Sequence, residues 1–181
     1  EETEDTRLHL LGDDKAEYNL LEIQEFVDIV FHSKPDGAEQ LFYAAPTNSP
    51  SRPMMGGMPQ LHKVLTRTSK ARALYFNASS CRRDDEGILR HKKELFEAFH
   101  VLVLDDIGTK IPIDALPEGL EPTYIIESSE GNFQYGFVLD EPITDVDHAT
   151  ALVQTAALAG LTDGGGLMAT KIVRLPSGIN G

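Results

Sequence analysis

Four consecutive apolar residues, Val101 to Leu104, lead into two adjacent carboxylates, Asp105 and Asp106, in the run VLVLDDIGTK, which then turns through Gly108 to Thr109 and Lys110. Carboxylates at the end of an apolar strand suit hard divalent cations, since Mg²⁺ takes oxygen ligands and is commonly held by one or two carboxylates plus substrate phosphates. Two such ions about 4 Å apart would stabilise both the attacking and the leaving oxygens of a nucleotidyl transfer. The same residues also read as a solvated turn, with Asp106 a turn former ahead of Gly108. On a regular strand adjacent side chains point to opposite faces, so a shared site needs a bulge or a strand end to re-aim one of them.

Other chemistries are excluded by pattern. The glycines at 164 to 166 are not followed by Lys-Ser or Lys-Thr, so they form no phosphate-cradling P-loop, and no His-Glu-x-x-His helix or Gly-x-Ser-x-Gly elbow is present. The six histidines stand singly, without the paired spacing of metal ligands. One cysteine, Cys81, allows no internal disulfide and no Cys-rich zinc site. Its neighbours Arg82 and Arg83 would lower its pKa if close; otherwise it is an ordinary surface or half-buried thiol.

These carboxylates need a scaffold, and 181 residues with 41% hydrophobic content suit one globular domain. Apolar spacing predicts a helix over 19–31, and EQLFYAAP (39–46) reads as a strand. A Pro/Gly/Ser-rich loop follows over 46–60, then a short basic helix and a strand over 73–79. GILRHKKELFEAFH (87–100) predicts a helix, with Ile88, Leu95 and Phe99 on one face and Arg90, Lys92 and Lys93 on others. After the strand bearing Asp105, PTYIIESS and NFQYGFVL predict a hairpin in which Gly131 and Asn132 supply positive φ. An Ala-rich helix over 143–161, capped by Thr144 or Asp145 and stopped near Gly160, leads through TDGGG to a last strand. The expectation is an α+β fold, a mixed or antiparallel sheet with packed helices in the ferredoxin or RNA-recognition-motif style.

Charge is unevenly spread. The net charge of −13 argues against a polyanion partner, yet residues 52–93 hold ten basic residues against Asp84, Asp85 and Glu86, while residues 1–28 hold ten acids against Arg7 and Lys15. The middle stretch is either a basic face for phosphates or a solvated surface. No apolar run approaches the roughly 20 residues that span a bilayer, and the acidic start is unlike a signal peptide, so a cytoplasmic protein without a membrane partner is expected.

From residue 101 onward the segments VLVLDDIGTK, PTYIIESSEGNFQYGFVLDEPI and TDGGGLMATKIVRLPSGIN resemble, in order and spacing, the three-motif core of archaeo-eukaryotic-type primase-polymerases, and within them the RepB-like primase domains of plasmids and phages. The resemblance covers about residues 73–181, the catalytic core, with 1–72 as a helical and loop extension of the same domain. It implies a metal-dependent, DNA-templated nucleotidyltransferase using two Mg²⁺ or Mn²⁺ ions, held by Asp105, Asp106 and Asp163. It also implies Ser129, Asn132, Gln134, Lys110 and Arg174 at the nucleoside triphosphate, and strand spacing puts Asn132 and Gln134 on one face. Single-stranded template would meet Arg82, Arg83, Arg90, Lys92, Lys93 and Asn180. The family's motif two usually carries a histidine where this chain has GNFQ, and motif one is usually acid-x-acid rather than two adjacent acids. In that family a helicase module often follows, and here it is expected beyond residue 181. The alternative is a catalytically inactive domain of the same fold that binds nucleotide or single-stranded nucleic acid.

Overall fold

The computed structural model describes residues 10–11, 15–16, 18–46, 54–67 and 72–176. Asn19 opens helix α1 (Leu20–Val30), its side-chain oxygen accepting the N–H groups of Leu21 and Glu22, which have no partner within the first turn. Ile23, Val27 and Val30 form the buried stripe of α1. Helix α2 spans Met58–Arg67, and α3 (Val146–Leu158) starts where the Asp145 carboxylate accepts the His148 N–H at 2.7 Å. Gly160, with φ 74°, follows its last turn, as expected for a helix stop.

Strands β1 (Leu10–Leu11) and β2 (Lys15–Ala16) pair with each other. The main sheet has seven strands and every strand pairing in it is antiparallel. Its order is β4 (Met54–Gly56), β3 (Glu39–Pro46), β5 (Arg72–Cys81), β6 (Phe96–Ile107), β8 (Asn132–Ile143) and β7 (Tyr124–Ser129), with β9 (Ile172–Arg174) also on β5. The fold is α+β, an antiparallel sheet with three helices.

Both faces of the central strands β3, β5 and β6 are covered, which explains near-continuous apolar runs where one-sided burial would give alternation. Phe42, Ala44, Leu74, Phe76, Phe99, Val101 and Val103 pack with Ile23 and Val27 of α1, Leu61 of α2 and Val153 of α3. Leu41, Tyr43 and Cys81, one residue out of step, join Leu89 and Leu95 in a second cluster.

Strand β5 changes partner along its length. Ser79 to Cys81 pair with β6, whereas Tyr75 to Asn77 pair with β9. Past Phe99, β6 runs along β8, from Val101 opposite Val138 to Ile107 opposite Phe133. The sheet therefore forks between β6 and β9.

The predicted helix over 87–100 does not form. Asp84 closes a turn by accepting the N–H groups of Glu86 and Ile88, Gly87 takes φ 74°, and only a single 3₁₀ turn at Lys93–Leu95 precedes β6. Ile88, which set the helical phase, is 44% exposed, while Ala98, Phe99, His100 and Val101 are buried consecutively between β5 and β8. Burial on two faces with tertiary strand partners overrides the helical spacing. The predicted loop over 46–60 is shorter than its composition suggests, since β4 starts at Met54 and α2 at Met58; residues 47–53 lie outside the described set.

The hairpin forms with Ser129 opposite Asn132, leaving Glu130 and Gly131 as a two-residue turn. Gly131 takes φ 70°, but Asn132 stays extended as the first residue of β8. Further along, Tyr124 lies opposite Gly136, and its ring fills the space of the missing side chain, within 2.0 Å of where a Cβ would stand.

Candidate active site

The two adjacent acids share a site because β6 bulges between them. Leu104 and Ile107 are three residues apart on β6 but pair with Tyr135 and Phe133, two apart on β8. Asp106 absorbs the extra residue with φ 60°, the one non-glycine positive φ among the described residues, a conformation that Asp tolerates better than most side chains. Its carbonyl then accepts the N–H groups of Thr109, Lys110 and Ile111 at 3.3, 3.1 and 3.0 Å, which folds GTK back under the strand end. Gly108 is required there: its φ is 89°, and a Cβ would stand 2.5 Å from the Gly131 carbonyl of the hairpin turn.

Asp163 joins the pair from the loop after α3. Thr162, buried beside it, accepts the Asp105 N–H on its hydroxyl at 2.8 Å and so fastens that loop to β6.

A common arrangement runs through all three carboxylates. Oδ1 of each is held by a neutral N–H donor: Asp105 by Gln134 Nε2 at 3.0 Å and the Asp106 N–H at 2.9 Å, Asp106 by Asn132 Nδ2 at 3.0 Å, and Asp163 by the Gly165 N–H at 2.8 Å. Oδ2 of each faces an ammonium: Lys171 Nζ lies 3.6 Å from Asp105, and Lys110 Nζ lies 2.6 Å from Asp106 and 2.9 Å from Asp163. The hydrogen bond to Lys110, then the Gly165 N–H, hold the Asp163 carboxyl below the usual range, and the hydrogen bonds of Asp106 and Asp163 push the Lys110 ammonium above its own.

Asn132 and Gln134 share a strand face, as strand spacing predicts, and each amide nitrogen donates to a carboxylate. The Asn132 oxygen accepts from the Thr109 hydroxyl at 3.0 Å. The Gln134 oxygen accepts the Arg174 N–H at 3.1 Å, so this buried amide spans the fork from β6 to β9. Phe133 and Tyr135 turn the other way, onto Leu104 and Ile107. The Arg174 guanidinium lies over the Tyr75 ring, 4.5 Å from its centre. Ser129 is exposed at the end of β7, across the ladder from Asn132.

Lys171 and Thr162 are not singled out by sequence reasoning. Both lie within the motif that carries Asp163 and Arg174, but nothing in their spacing distinguishes them from surface residues.

The basic stretch is placed differently from the carboxylates. Arg82 pairs with Glu97 at 2.7 Å, Arg83 grips both Glu39 oxygens at 2.6 and 2.7 Å, Arg90 bonds Asp84 and Glu86, and Lys93 meets Asp147 at 2.7 Å. Lys92 is exposed, and Asn180 lies outside the described residues. The flanking arginines do not activate Cys81: it is buried, and burial, then Glu39 and Glu97, push its thiol up to about 11. Among the described residues no helix is long and apolar enough to cross a membrane.

No protein-family model matches the chain, and no curated protein matches it. Solved structures do. The primase-polymerase domain of cyanophage S-2L aligns with a TM-score of 0.58 at 14% identity, covering 87% of this chain and 81% of that one. The catalytic domain of primase RepB′, solved in complex with initiator DNA, aligns with a TM-score of 0.55 at 15% identity, covering 89% of this chain and 77% of that one. At these identities the likeness is one of fold: this chain has the fold shared by these two primase domains.

Proposed function

We propose that the chain is a metal-dependent, DNA-templated nucleotidyltransferase, the primase-polymerase domain of a plasmid or phage replication protein. The observation that carries this reading is the arrangement of the three carboxylates, each with one oxygen pinned by a neutral donor and the other turned to a cation. Outer-shell amides that orient ligating carboxylates are a regular feature of metal sites. The donor set is all oxygen, which suits Mg²⁺ or Mn²⁺, and Asp105, Asp106 and Asp163 would hold the ions. Bound there, divalent ions supply the charge neutralisation that a nucleotidyl transfer needs.

The protein's own groups divide the remaining work. Gln134 and Asn132 keep Asp105 and Asp106 aimed, and Thr162 keeps the Asp163 loop against β6. Lys110 and Arg174 bring positive charge for a nucleoside triphosphate. Single-stranded DNA is the proposed template, in line with the RepB′ neighbour, whose structure contains initiator DNA.

The second reading, an inactive domain of the same fold that binds nucleotide or single strand, is favoured by one observation. Among the described residues no three His, Cys, Asp or Glu side chains are gathered as a ready ligand set, and lysines stand on the outer oxygens of the three carboxylates. A primer-synthesis assay on single-stranded DNA with labelled nucleotides and Mn²⁺ or Mg²⁺ separates the two. Synthesis that stops with chelator, and falls at least about a hundredfold in Asp105→Ala and Asp163→Ala proteins of unchanged melting temperature, supports the transferase. Equal synthesis by wild type and both variants overturns it.

A further inference from the structure

We propose that Lys110 is the resident cation of the carboxylate site, that a divalent ion displaces it, and that its displacement frees the ammonium for the triphosphate. This rests on the reading of the site as ion-dependent.

The geometry places one ammonium on two ligand oxygens. Lys110 Nζ lies 2.6 Å from Asp106 Oδ2 and 2.9 Å from Asp163 Oδ2, the cation-facing oxygens of both carboxylates. A divalent ion bound through those oxygens would meet the ammonium at hydrogen-bond range, where two like charges repel strongly. Both cannot stay.

Lys110 is built to be the one that moves. Its side chain is 65% exposed, against 19% for Asp106 and 22% for Asp163, so it can swing into solvent without repacking. Its backbone N–H remains tied to the Asp106 carbonyl at 3.1 Å, so the stem stays rooted beside the site. Lys171, facing Asp105, is 10% exposed and has no such freedom. The carboxylates keep their aim when Lys110 leaves, because Asn132 Nδ2 and the Gly165 N–H hold the opposite oxygens. A lysine carries a mobile point charge on a flexible four-carbon stem, which suits a group that exchanges a carboxylate pair for a phosphate.

The consequence is opposite signs for two ligands. Without nucleotide, Lys110→Met and Lys110→Gln should bind Mn²⁺ more tightly than wild type, by about ten- to a hundredfold, because a competing unit charge is gone. With Mn²⁺ saturating, the same variants should bind a nucleoside triphosphate more weakly, by about tenfold, having lost a charged partner. Mn²⁺ titration followed by electron paramagnetic resonance reads the first, and competition with a fluorescent triphosphate reads the second. Tighter Mn²⁺ together with weaker triphosphate supports the proposal. Equal Mn²⁺ affinity in wild type and variants overturns the displacement, and tighter Mn²⁺ with unchanged triphosphate overturns the transfer to phosphate. Absence of Mn²⁺ binding in all three proteins would instead overturn the ion-dependent reading itself, and this proposal with it.

Discussion

Gln134 joins Asp105 across two strands through a 3.0 Å hydrogen bond from Nε2 to Oδ1, and the other end of the same amide accepts the Arg174 N–H at 3.1 Å. One buried side chain thus sets the aim of a carboxylate on β6 and the height of β9 beside it. The two printed partners of the amide, one at each end, both belong to the protein, which gives Gln134 a positioning role.

Gln134→Ala should therefore weaken Mn²⁺ binding in the absence of nucleotide, by about 10- to 100-fold, as loss of an outer-shell partner does. Titration of Mn²⁺ into the variant measures it. An unchanged Mn²⁺ affinity combined with a raised nucleotide KM would return the amide to the triphosphate.

Template capture through the basic stretch requires arginines that are already paired to exchange partners. Each phosphate neutralised on a single strand contributes about 0.7 to the slope of log K against log salt. Arg82→Glu with Arg83→Glu should flatten that slope by roughly 0.7 for each phosphate no longer neutralised, and Glu97→Gln, which releases Arg82, should strengthen binding. Binding isotherms at several salt concentrations test both, and a slope indifferent to all three changes would mark the stretch as a solvated face.

His100 is 1% exposed, bonds the Ser80 hydroxyl through Nε2 at 2.9 Å, and has its pKa lowered to about 4 by burial, with Lys34 and His32 adding to the effect. Its folded pKa is below the unfolded value of about 6.5, so between these limits the unfolded chain binds more protons. Stability should be fully present above about pH 6.5 and should fall as the pH drops towards 4, by up to about 1.4 kcal/mol per unit. Urea denaturation at a series of pH values should show this slope in wild type. His100→Gln, which keeps a hydrogen-bonding group for Ser80, should lack it over that window.

Tyr124 and Gly136 form a ring-over-glycine pair that also packs on Phe26, with ring centres 4.9 Å apart. Gly136→Ala has no room for its methyl and should cost about 1–3 kcal/mol, visible as a lower melting temperature. The Tyr124 hydroxyl is buried with no hydrogen-bond partner among the described residues, so Tyr124→Phe should stabilise the protein by about 1 kcal/mol. A destabilised Tyr124→Phe variant would show that the hydroxyl is satisfied in solution.

The strand that carries Asp105 was legible because Val101 to Leu104 form an unbroken apolar run, and the hairpin because Gly131 marks its turn. The bulge was legible only as a requirement: chemistry demanded that adjacent acids converge, but nothing local in LDDIG names Asp106 as the residue with positive φ. Strand spacing put Asn132 and Gln134 on one face, yet their partners lie 26 and 29 residues away, beyond any local pattern. The segment 87–100 misled for a related reason. Its helical spacing is real, but the strands on either side of it decide the conformation. A count of basic residues likewise carries no trace of Glu39, Glu97 and Asp147, which fold against them from other parts of the chain.

The fork in the sheet divides the site into two parts of unequal permanence. Asp105 and Asp106 ride on β6, which is laced into β8 along most of its length, whereas Arg174 ends a strand held to β5 by only three ladder pairs. Opening of the β9 flank, with the neighbouring Asp163 loop, breaks fewer ladder pairs than opening of β6 from β8, and could part the third carboxylate from the other two while the rest of the sheet stays whole. In hydrogen exchange the amides of Ile172 to Arg174 should lose protection before those of Val101 to Leu104, so the chain would assemble and dismantle its charge cluster on a faster clock than it unfolds.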